Sequence, residues 1–449
     1  MDVIVIETSS LGDRSYLVHD GQDAVVIDPQ RDIDRVLESA QQAGVRITHV
    51  AETHIHNDYV TGGLELSAET EATYLVNAAD PVRYERTPVR DGEEHAVGDL
   101  TLRAVATPGH TETHLTYVVT HGDQQAVFSG GSLLFGSVGR TDLVDPAKTK
   151  ELTHAQYASA RRLVEESSSD AALYPTHGFG SFCSSGPATA VGRSTIGEQR
   201  HSNHALTDPD EEHFVSSLIA NLTAYPSYYA HMGPANLKGP APVDLTVPEA
   251  LDPEELVRRL DDGEWVVDLR GRVAFADNHL TGAVSFEYGD GSSFTTFLGW
   301  VLPWSDRITL AGSEEQVAQA IRDLSRIGID SPDAAIGTGP ADLAPNASTS
   351  AYPRMDWKTY VAIRPETEPL LDVRRADEFA ASHLSGAVNI PLHELLTRMD
   401  EVPDGRVWVH CGSGYRAGVA ASLIERAGKE PVHIDAAFSD AASAGITLR

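Results

Sequence analysis

A multi-domain α/β fold is what this sequence predicts, and three observations predict it. Short apolar runs of strand length alternate with helix-length stretches of mixed polarity along the chain. Two segments rich in Pro, Gly, Ala and Ser, Lys238–Val243 and Gly337–Pro353, punctuate it. A stretch beginning at Val267 recurs 104 residues later.

The 449 residues suffice for two to four domains at roughly 150 residues each. An apolar fraction of 41% and a charged fraction of 22% belong to a globular chain. Lys+Arg number 34 and Asp+Glu 66, a net charge of −32, which would repel phosphate backbones and anionic lipid. Nucleic acid and membrane are therefore not expected as partners. The N-terminus, Met1 to Glu7, has no basic segment followed by an apolar one, so no signal peptide is expected. No uncharged apolar run is long enough to span a bilayer. Two cysteines, Cys183 and Cys411, cannot build a disulfide framework, so a reducing cytoplasm is the expected location.

In the first piece, residues 1–240, strands are expected at Val3–Ile6, Ser15–Val18, Ala24–Ile27 and Ile47–Ala51, with a helix over Asp32–Ala43. Further strands are expected at Leu100–Ala106, Leu115–Val119 and Ala126–Phe128, and a polar helix at Thr149–Glu166. The second and third pieces, 244–340 and 350–449, repeat each other. Val267-Asp-Leu-Arg270 matches Leu371-Asp-Val-Arg374, Phe275-Ala276 matches Phe379-Ala380, and His279-Leu-x-Gly-Ala-Val284 matches His383-Leu-x-Gly-Ala-Val388. So many matches in one register predict a duplicated α/β module.

The strand Ile47–Ala51 runs into Thr53-His54-Ile-His56-Asn-Asp58-Tyr59-Val-Thr-Gly62-Gly63. His54, His56 and Asp58 alternate, which in extended chain aims them to one side. Imidazole and carboxylate suit a transition metal. His110, in Pro108-Gly-His-Thr111, and His177, before Gly178, follow at other strand ends. A lone histidine is usually a satisfied core or surface residue, whereas four at strand ends beside an aspartate indicate a metal site.

This order, H-x-H-x-D, then P-G-H-T, then a late His-Gly, resembles the metallo-β-lactamase fold, an αββα sandwich with metal at one edge. Within that fold, T-H-x-H-x-D-Y-V-T-G-G, Gly139-Arg140-Thr141-Asp142 and His177-Gly-Phe-Gly-Ser-Phe-Cys183 resemble the persulfide dioxygenases. The resemblance implies a single Fe(II), with Zn as the alternative, bound by His54, His110 and an Asp in a T-G-D segment. It also implies that Arg140 lies at the substrate. Here the segment reads Ser129-Gly130-Gly131, so Gly131 stands where the family has its Asp. Three repairs are open: His56 completes a three-histidine site, Asp58 supplies the carboxylate, or the site is weak or empty. The sequence favours His54, His56 and His110, and Gly131→Asp would then restore the family's set. Tyr59 stands where two-metal hydrolases of the fold carry a His. Cys183 is either a thiol touching a sulfur substrate or a small buried apolar residue, the second reading being slightly favoured.

In the third piece a short strand, Arg406–His410, leads into Cys411-Gly412-Ser413-Gly414-Tyr415-Arg416 and then a helix. A thiol between a strand end and a helix N-terminus faces free backbone N–H groups, which favour the thiolate. Arg416 adds positive charge. C-x-x-G-x-R, with Asp372-x-Arg374 and His383-x-x-Gly386-Ala387, resembles the rhodanese family, which implies that Cys411 carries sulfane sulfur as a persulfide. The four residues between Cys411 and Arg416 are one fewer than a phosphatase loop has, so the ring is better sized for sulfur. The corresponding strand of the second piece, Arg307–Leu310, leads to Ala311-Gly-Ser-Glu-Glu315, without Cys or Arg. That module is expected to be catalytically silent and to serve in packing.

The resemblances together imply oxidation of a low-molecular-weight persulfide with O2 to sulfite, coupled to sulfur transfer that yields thiosulfate. The substrates expected are a persulfide and sulfite, and the chain is expected to be a homo-oligomer. The alternatives are a zinc thioester hydrolase of the glyoxalase-like branch, and a metal-poor scaffold in which only Cys411 has chemistry.

Overall fold

The computed structural model describes residues 1–186, 192–289, 293–304, 306–363 and 368–449. They divide into one unit of Met1–Val243 with Ser325–Gly328 and another of Asp244–Leu324 with Ile329–Arg449.

Strand alternation decides the layers of the first unit. Six strands, β1 (Asp2–Thr8), β2 (Asp13–His19), β3 (Asp23–Ile27), β4 (Arg46–Ala51), β5 (Thr73–Asn77) and β6 (Thr87–Val89), form one sheet in chain order. Six more, β7 (Glu94–Val97), β8 (Leu100–Ala106), β9 (Leu115–His121), β10 (Gln124–Gly130), β11 (Ala172–Pro175) and β12 (Ser194–Thr195), form a second, also in chain order. Tyr16, Val18, Val25 and Ile27 meet Leu102, Ala104, Tyr117, Val119 and Phe128 between the sheets. The alternate residues Leu17, Ala24 and Val26 pack with Val36, Ala40 and Leu66, on the helices Asp34–Ala43 and Gly63–Thr70. Val105, Val118 and Val127 pack on the other side with Tyr157, Ala160 and Leu163 of the helix Thr149–Glu165. Each buried Val, Leu, Ile or Phe among these contributes about 1.5–3 kcal/mol. A one-residue slip would expose an entire inner face, so register is firmly specified. The result is the αββα sandwich the sequence implied.

The second unit holds two largely parallel sheets. One pairs β13 (Trp265–Asp268) with β15 (Val284–Ser285) and β16 (Ile308–Gly312), and β16 with β17 (Asp333–Ile336). A short ribbon pairs β14 (His279–Leu280) with β18 (Thr349–Ser350). The other sheet has the order β19 (Arg354–Met355), β23 (Glu430–Ile434), β22 (Arg406–His410), β20 (Leu370–Asp372), β21 (Ala387–Asn389). The order β15-β13-β16-β17 thus corresponds to β21-β20-β22-β23.

The equivalence extends to side chains. Arg270 grips Asp268 through Nε and Nη2, as Arg374 grips Asp372. His279 stacks on Phe275 at 3.9 Å between ring centres, as His383 does on Phe379 at 4.1 Å. Each histidine Nδ1 donates to the same phenylalanine's carbonyl.

Composition misleads at Gly337–Pro353. The stretch contains a helical turn, Pro340–Leu343, and β18, and it buries Leu343, Ala344 and Tyr352 in the core with Leu256, Val266 and Phe275. Its apolar residues pack, so it is no free linker. Among the described residues no helix is long and apolar enough to cross a membrane.

Candidate active site

The histidines converge because each follows the C-terminal end of a strand. His54 and His56 lie just beyond β4, His110 beyond β8, Gly131 at the end of β10 and His177 beyond β11. All four histidines are buried. Ligand atoms of His54, His110 and His177 lie within 4.8 Å of one another, as do those of Asp28, His54 and His56, and those of His56, Asp58 and His177. The favoured trio of the sequence reading, His54 with His56 and His110, is not among these groupings.

Asp28 is the hub beneath the cluster. It sits in a left-handed backbone conformation at φ 51°, which aspartate tolerates better than most residues. Its carboxylate accepts from the Thr53 amide at 2.7 Å, the Thr53 hydroxyl at 2.7 Å and the Thr176 hydroxyl at 2.5 Å. The Thr53 oxygen in turn accepts from His54 Nδ1 at 2.8 Å. His56 Nε2 faces Asp28 at 3.3 Å, Glu52 at 3.4 Å and the Tyr59 hydroxyl at 3.0 Å. Burial disfavours its cation, but the Asp28 and Glu52 carboxylates outweigh that and raise its pKa to about 9.

His177 Nδ1 lies 2.8 Å from Asp13 and 3.2 Å from Asp58. Burial again opposes the cation, and the two carboxylates prevail, raising His177 to about 10. Burial also resists the Asp58 anion, yet His177 holds that carboxyl below its usual range, while burial and Asp58 push Asp13 up. His110 is depressed to about 3 by burial and the neighbouring His177, and His54 falls well below its ordinary value through burial and the surrounding imidazoles. A buried group of imidazoles, two held neutral, is a donor set made for a metal cation. His110 Nε2 is buried without any hydrogen-bond partner among the described residues, as expected of an atom reserved for a metal.

Arg140, which the resemblance placed at the substrate, has its side chain turned inward. Its side chain is buried and engages Asp142 at 2.7 and 2.8 Å, the Thr223 carbonyl at 2.8 Å and the Phe182 carbonyl at 3.2 Å. Four of its five N–H donors are thus satisfied internally. Its contribution to the cluster is its carbonyl, which accepts from His110 Nδ1 at 2.7 Å. Cys183 is fully buried, and burial together with the Asp58 charge pushes its thiol well up, so it sits here as a neutral thiol.

Sequence reasoning missed Asp13, Asp28, Glu52 and His114. His114 Nε2 accepts from the Gly131 amide at 3.0 Å, and its Nδ1 meets the Thr107 hydroxyl at 2.9 Å. Its four-residue spacing from His110 was a legible signal. Asp28, immediately after β3, was another.

The second centre is built on β22. Cys411 lies at its end, buried, and its sulfur accepts from the Gly414 amide at 3.2 Å. Gly414 has φ 97° and precedes the helix Tyr415–Arg426. A Cβ there would overlap the Asp435 carboxylate, so only glycine fits. His433 Nε2 donates to the Gly414 carbonyl at 2.9 Å. Gly412 accepts from the Phe438 amide at 2.9 Å, and Ser413 is exposed. Arg416 is held by Glu378 at 2.5 and 2.9 Å. The helix also belongs to the preceding module. Ala421 packs with Phe275 and Leu256, Ser422 accepts from the Ser285 amide at 3.0 Å, and Glu425 meets His279 at 2.6 Å. Phe297 lies 6.0 Å from the Tyr415 ring.

Comparison with known proteins finds likenesses for both centres. Residues 13–177 match the metallo-beta-lactamase superfamily and residues 357–443 the rhodanese-like domain. The human mitochondrial persulfide dioxygenase ETHE1 is 28% identical over 249 residues, 54% of this chain and 81% of that protein. A hydroxyacylglutathione hydrolase of Methylococcus capsulatus is 36% identical over 128 residues, 28% of this chain, which spans about half of that enzyme's length. A solved metallo-beta-lactamase from Staphylococcus aureus subsp. aureus COL is 25% identical, with a TM-score of 0.66 over 75% of this chain and 99% of that one. Residues 13–177 of this chain thus carry a metallo-beta-lactamase domain, with homology to persulfide dioxygenase over the N-terminal half, and residues 357–443 a rhodanese-like domain, a fusion of the two.

Proposed function

We propose that this chain oxidises a low-molecular-weight persulfide to sulfite at a metal in the histidine cluster, and passes sulfane sulfur through Cys411 to sulfite, giving thiosulfate. The observation that carries the reading is the presence on one chain of two sulfur-competent centres, a buried imidazole cluster and a thiol held by a backbone N–H. In the first reaction persulfide, dioxygen and water become thiol and sulfurous acid, which ionises to sulfite. A bound iron supplies the electron exchange with dioxygen that side chains alone cannot. The chain's own residues bury the site, and Asp28 with Thr53 and Asp13 with Asp58 fix the orientations of His54 and His177.

In the second reaction the Cys411 thiolate attacks the outer sulfur of a persulfide. The S–S bond of the donor breaks, the donor leaves as thiol with the persulfide's proton, and Cys411 is left as an anionic persulfide. Sulfite then attacks that outer sulfur, releasing thiosulfate and restoring the thiolate. The Gly414 amide stabilises the anion at each stage. Residues 244–340 lack a nucleophile and act as a silent module that braces the helix behind Cys411. Both cysteines are free, which suits a cytoplasmic setting.

The hydroxyacylglutathione hydrolase likeness favours a second reading, a zinc thioester hydrolase. Tyr59 argues against it, since its ring stacks on His56 at 4.2 Å where a second metal's histidine would stand. The test is a Cys411→Ser enzyme supplied with persulfide and dioxygen. Oxygen uptake should persist and sulfite should accumulate in place of thiosulfate. Thiosulfate made at the wild-type rate would refute the sulfur-transfer half.

A further inference from the structure

Resting on the metal-dependent reading above, we propose that the metal is bound by three histidines, His54, His110 and His177, through their Nε2 atoms, with no carboxylate in the set. His177 takes the ligand role that an Asp at position 131 would have filled.

The first support is steric. A Cβ placed on Gly131 would overlap the His110 ring, falling against Cδ2, 2.6 Å from Cγ and 2.8 Å from Nε2. A Cβ on Gly139 would lie 2.7 Å from His110 Nδ1. The His110 ring thus occupies a slot between two glycines, closed by the Gly139 amide donating to the Gly131 carbonyl at 2.8 Å. The ring stands where the stem of the family's Asp would begin. Gly131 is accordingly part of a rearranged site, and Gly131→Asp cannot simply restore the lost carboxylate.

The second support is the direction of the nitrogen lone pairs. His110 Nδ1 faces a carbonyl, which can only accept, so Nδ1 carries the proton and Nε2 the lone pair. His54 Nδ1 faces a threonine oxygen whose own hydrogen goes to Asp28, which makes the same assignment. His177 Nδ1 faces Asp13 and Asp58. Each ring is anchored by an acceptor at Nδ1, the arrangement that orients metal-binding imidazoles.

The third support is spacing. His54 Nε2 and His177 Nε2 lie 3.3 Å apart. Two nitrogens each about 2.1 Å from one ion, at tetrahedral or octahedral angles, sit roughly 3.0–3.4 Å apart. The ring centres are 4.8 Å apart for His54 and His110, and 5.3 Å for His177 with either. His56 by contrast commits Nε2 to Asp28, Glu52 and Tyr59 and keeps only Nδ1 without a partner among the described residues, and Asp58 accepts from Ser181 and meets His177 Nδ1, each at 3.2 Å, with its other oxygen unpartnered among the same residues. An ion bound at Nε2 displaces the second proton of His177, and three neutral imidazoles then give the divalent ion no ligand charge, where two imidazoles and a carboxylate would cancel one unit. Such a centre favours an anionic sulfur ligand, the deprotonated terminus of a persulfide.

The test is binding of Fe(II), and of Co(II) as a spectroscopic probe, to full-length protein purified without oxygen, with bound metal counted by elemental analysis. His54→Ala, His110→Ala and His177→Ala should each weaken binding at least 100-fold, His56→Ala should retain stoichiometric metal, and Gly131→Asp should bind more weakly than wild type. X-ray absorption on the iron-loaded wild type should count three imidazoles, which keeps the test independent of how the variants fold. Two imidazoles in that spectrum, full metal in His177→Ala, or tighter binding in Gly131→Asp would overturn the three-histidine set while leaving metal-dependent oxidation standing. A wild-type protein that binds neither ion would refute both.

Discussion

The Gly414 amide points at the Cys411 sulfur across 3.2 Å, and that one hydrogen bond depends on a backbone conformation only glycine adopts easily. Gly414→Ala would strain φ 97° and drive a methyl into Asp435. Thiosulfate formation from persulfide and sulfite should fall on the order of 100-fold, as expected for an ångström-scale displacement of a reacting group. The Cys411 thiol should remain available to an alkylating reagent, which distinguishes a mispositioned nucleophile from a lost one.

Arg416→Ala should weaken sulfur transfer without eliminating it, because the Gly414 amide still faces the sulfur. It also strips Glu378 of a bidentate partner, in a pair whose side chains are 16% and 28% exposed. The loss of stability should be about 1 kcal/mol, read as a shift in the denaturant midpoint.

The preceding module reaches the Cys411 loop through Arg272. Its Nε donates to Asp435 at 2.8 Å, and Asp435 is the residue that hems in Gly414. Arg272→Ala should lower kcat for transfer several-fold, and Arg272→Lys should recover part of it. Equal losses in both variants, tracking a loss of folded protein, would mark Arg272 as purely structural.

Acid should destabilise the Cys411 module before the carboxylates titrate. Burial depresses both His410 and His433 from 6.5 to about 4. A histidine held neutral in the fold contributes stability that is full above its unfolded pKa and lost as pH falls toward the folded one. The window is therefore pH 6.5 down to 4, with at most about 3 kcal/mol from each group. A thermal melt of the full chain should show Tm falling steadily across it, and His433→Gln should flatten part of that slope.

Much of this was legible in the sequence, for identifiable reasons. Cys411 was legible because a strand, a thiol and a glycine-containing turn before a helix form one contiguous pattern. The repeat was legible because Asp268–Arg270 and Asp372–Arg374 make the same local grip, which fixes their spacing. The directions of the histidine side chains were not. His54, His56 and Asp58 alternate, but β4 ends at Ala51, so the strand period no longer governs where their side chains point. His56 turns instead to Asp28 and Glu52. Asp13 and Asp28 lie far from the motif in sequence and reach it only through the folding of the first sheet. Gly131 was noticed as a missing carboxylate, while its role as space for the His110 ring exists only in three dimensions.

The central claim is that the first unit oxidises persulfide sulfur with dioxygen. Oxygen uptake by iron-loaded, anaerobically purified protein given a low-molecular-weight persulfide, with sulfite quantified in the Cys411→Ser background, tests it most directly. The account predicts one dioxygen consumed for each sulfite formed. Iron-loaded protein that consumes no dioxygen, alongside zinc-loaded protein that hydrolyses a glutathione thioester, would contradict it.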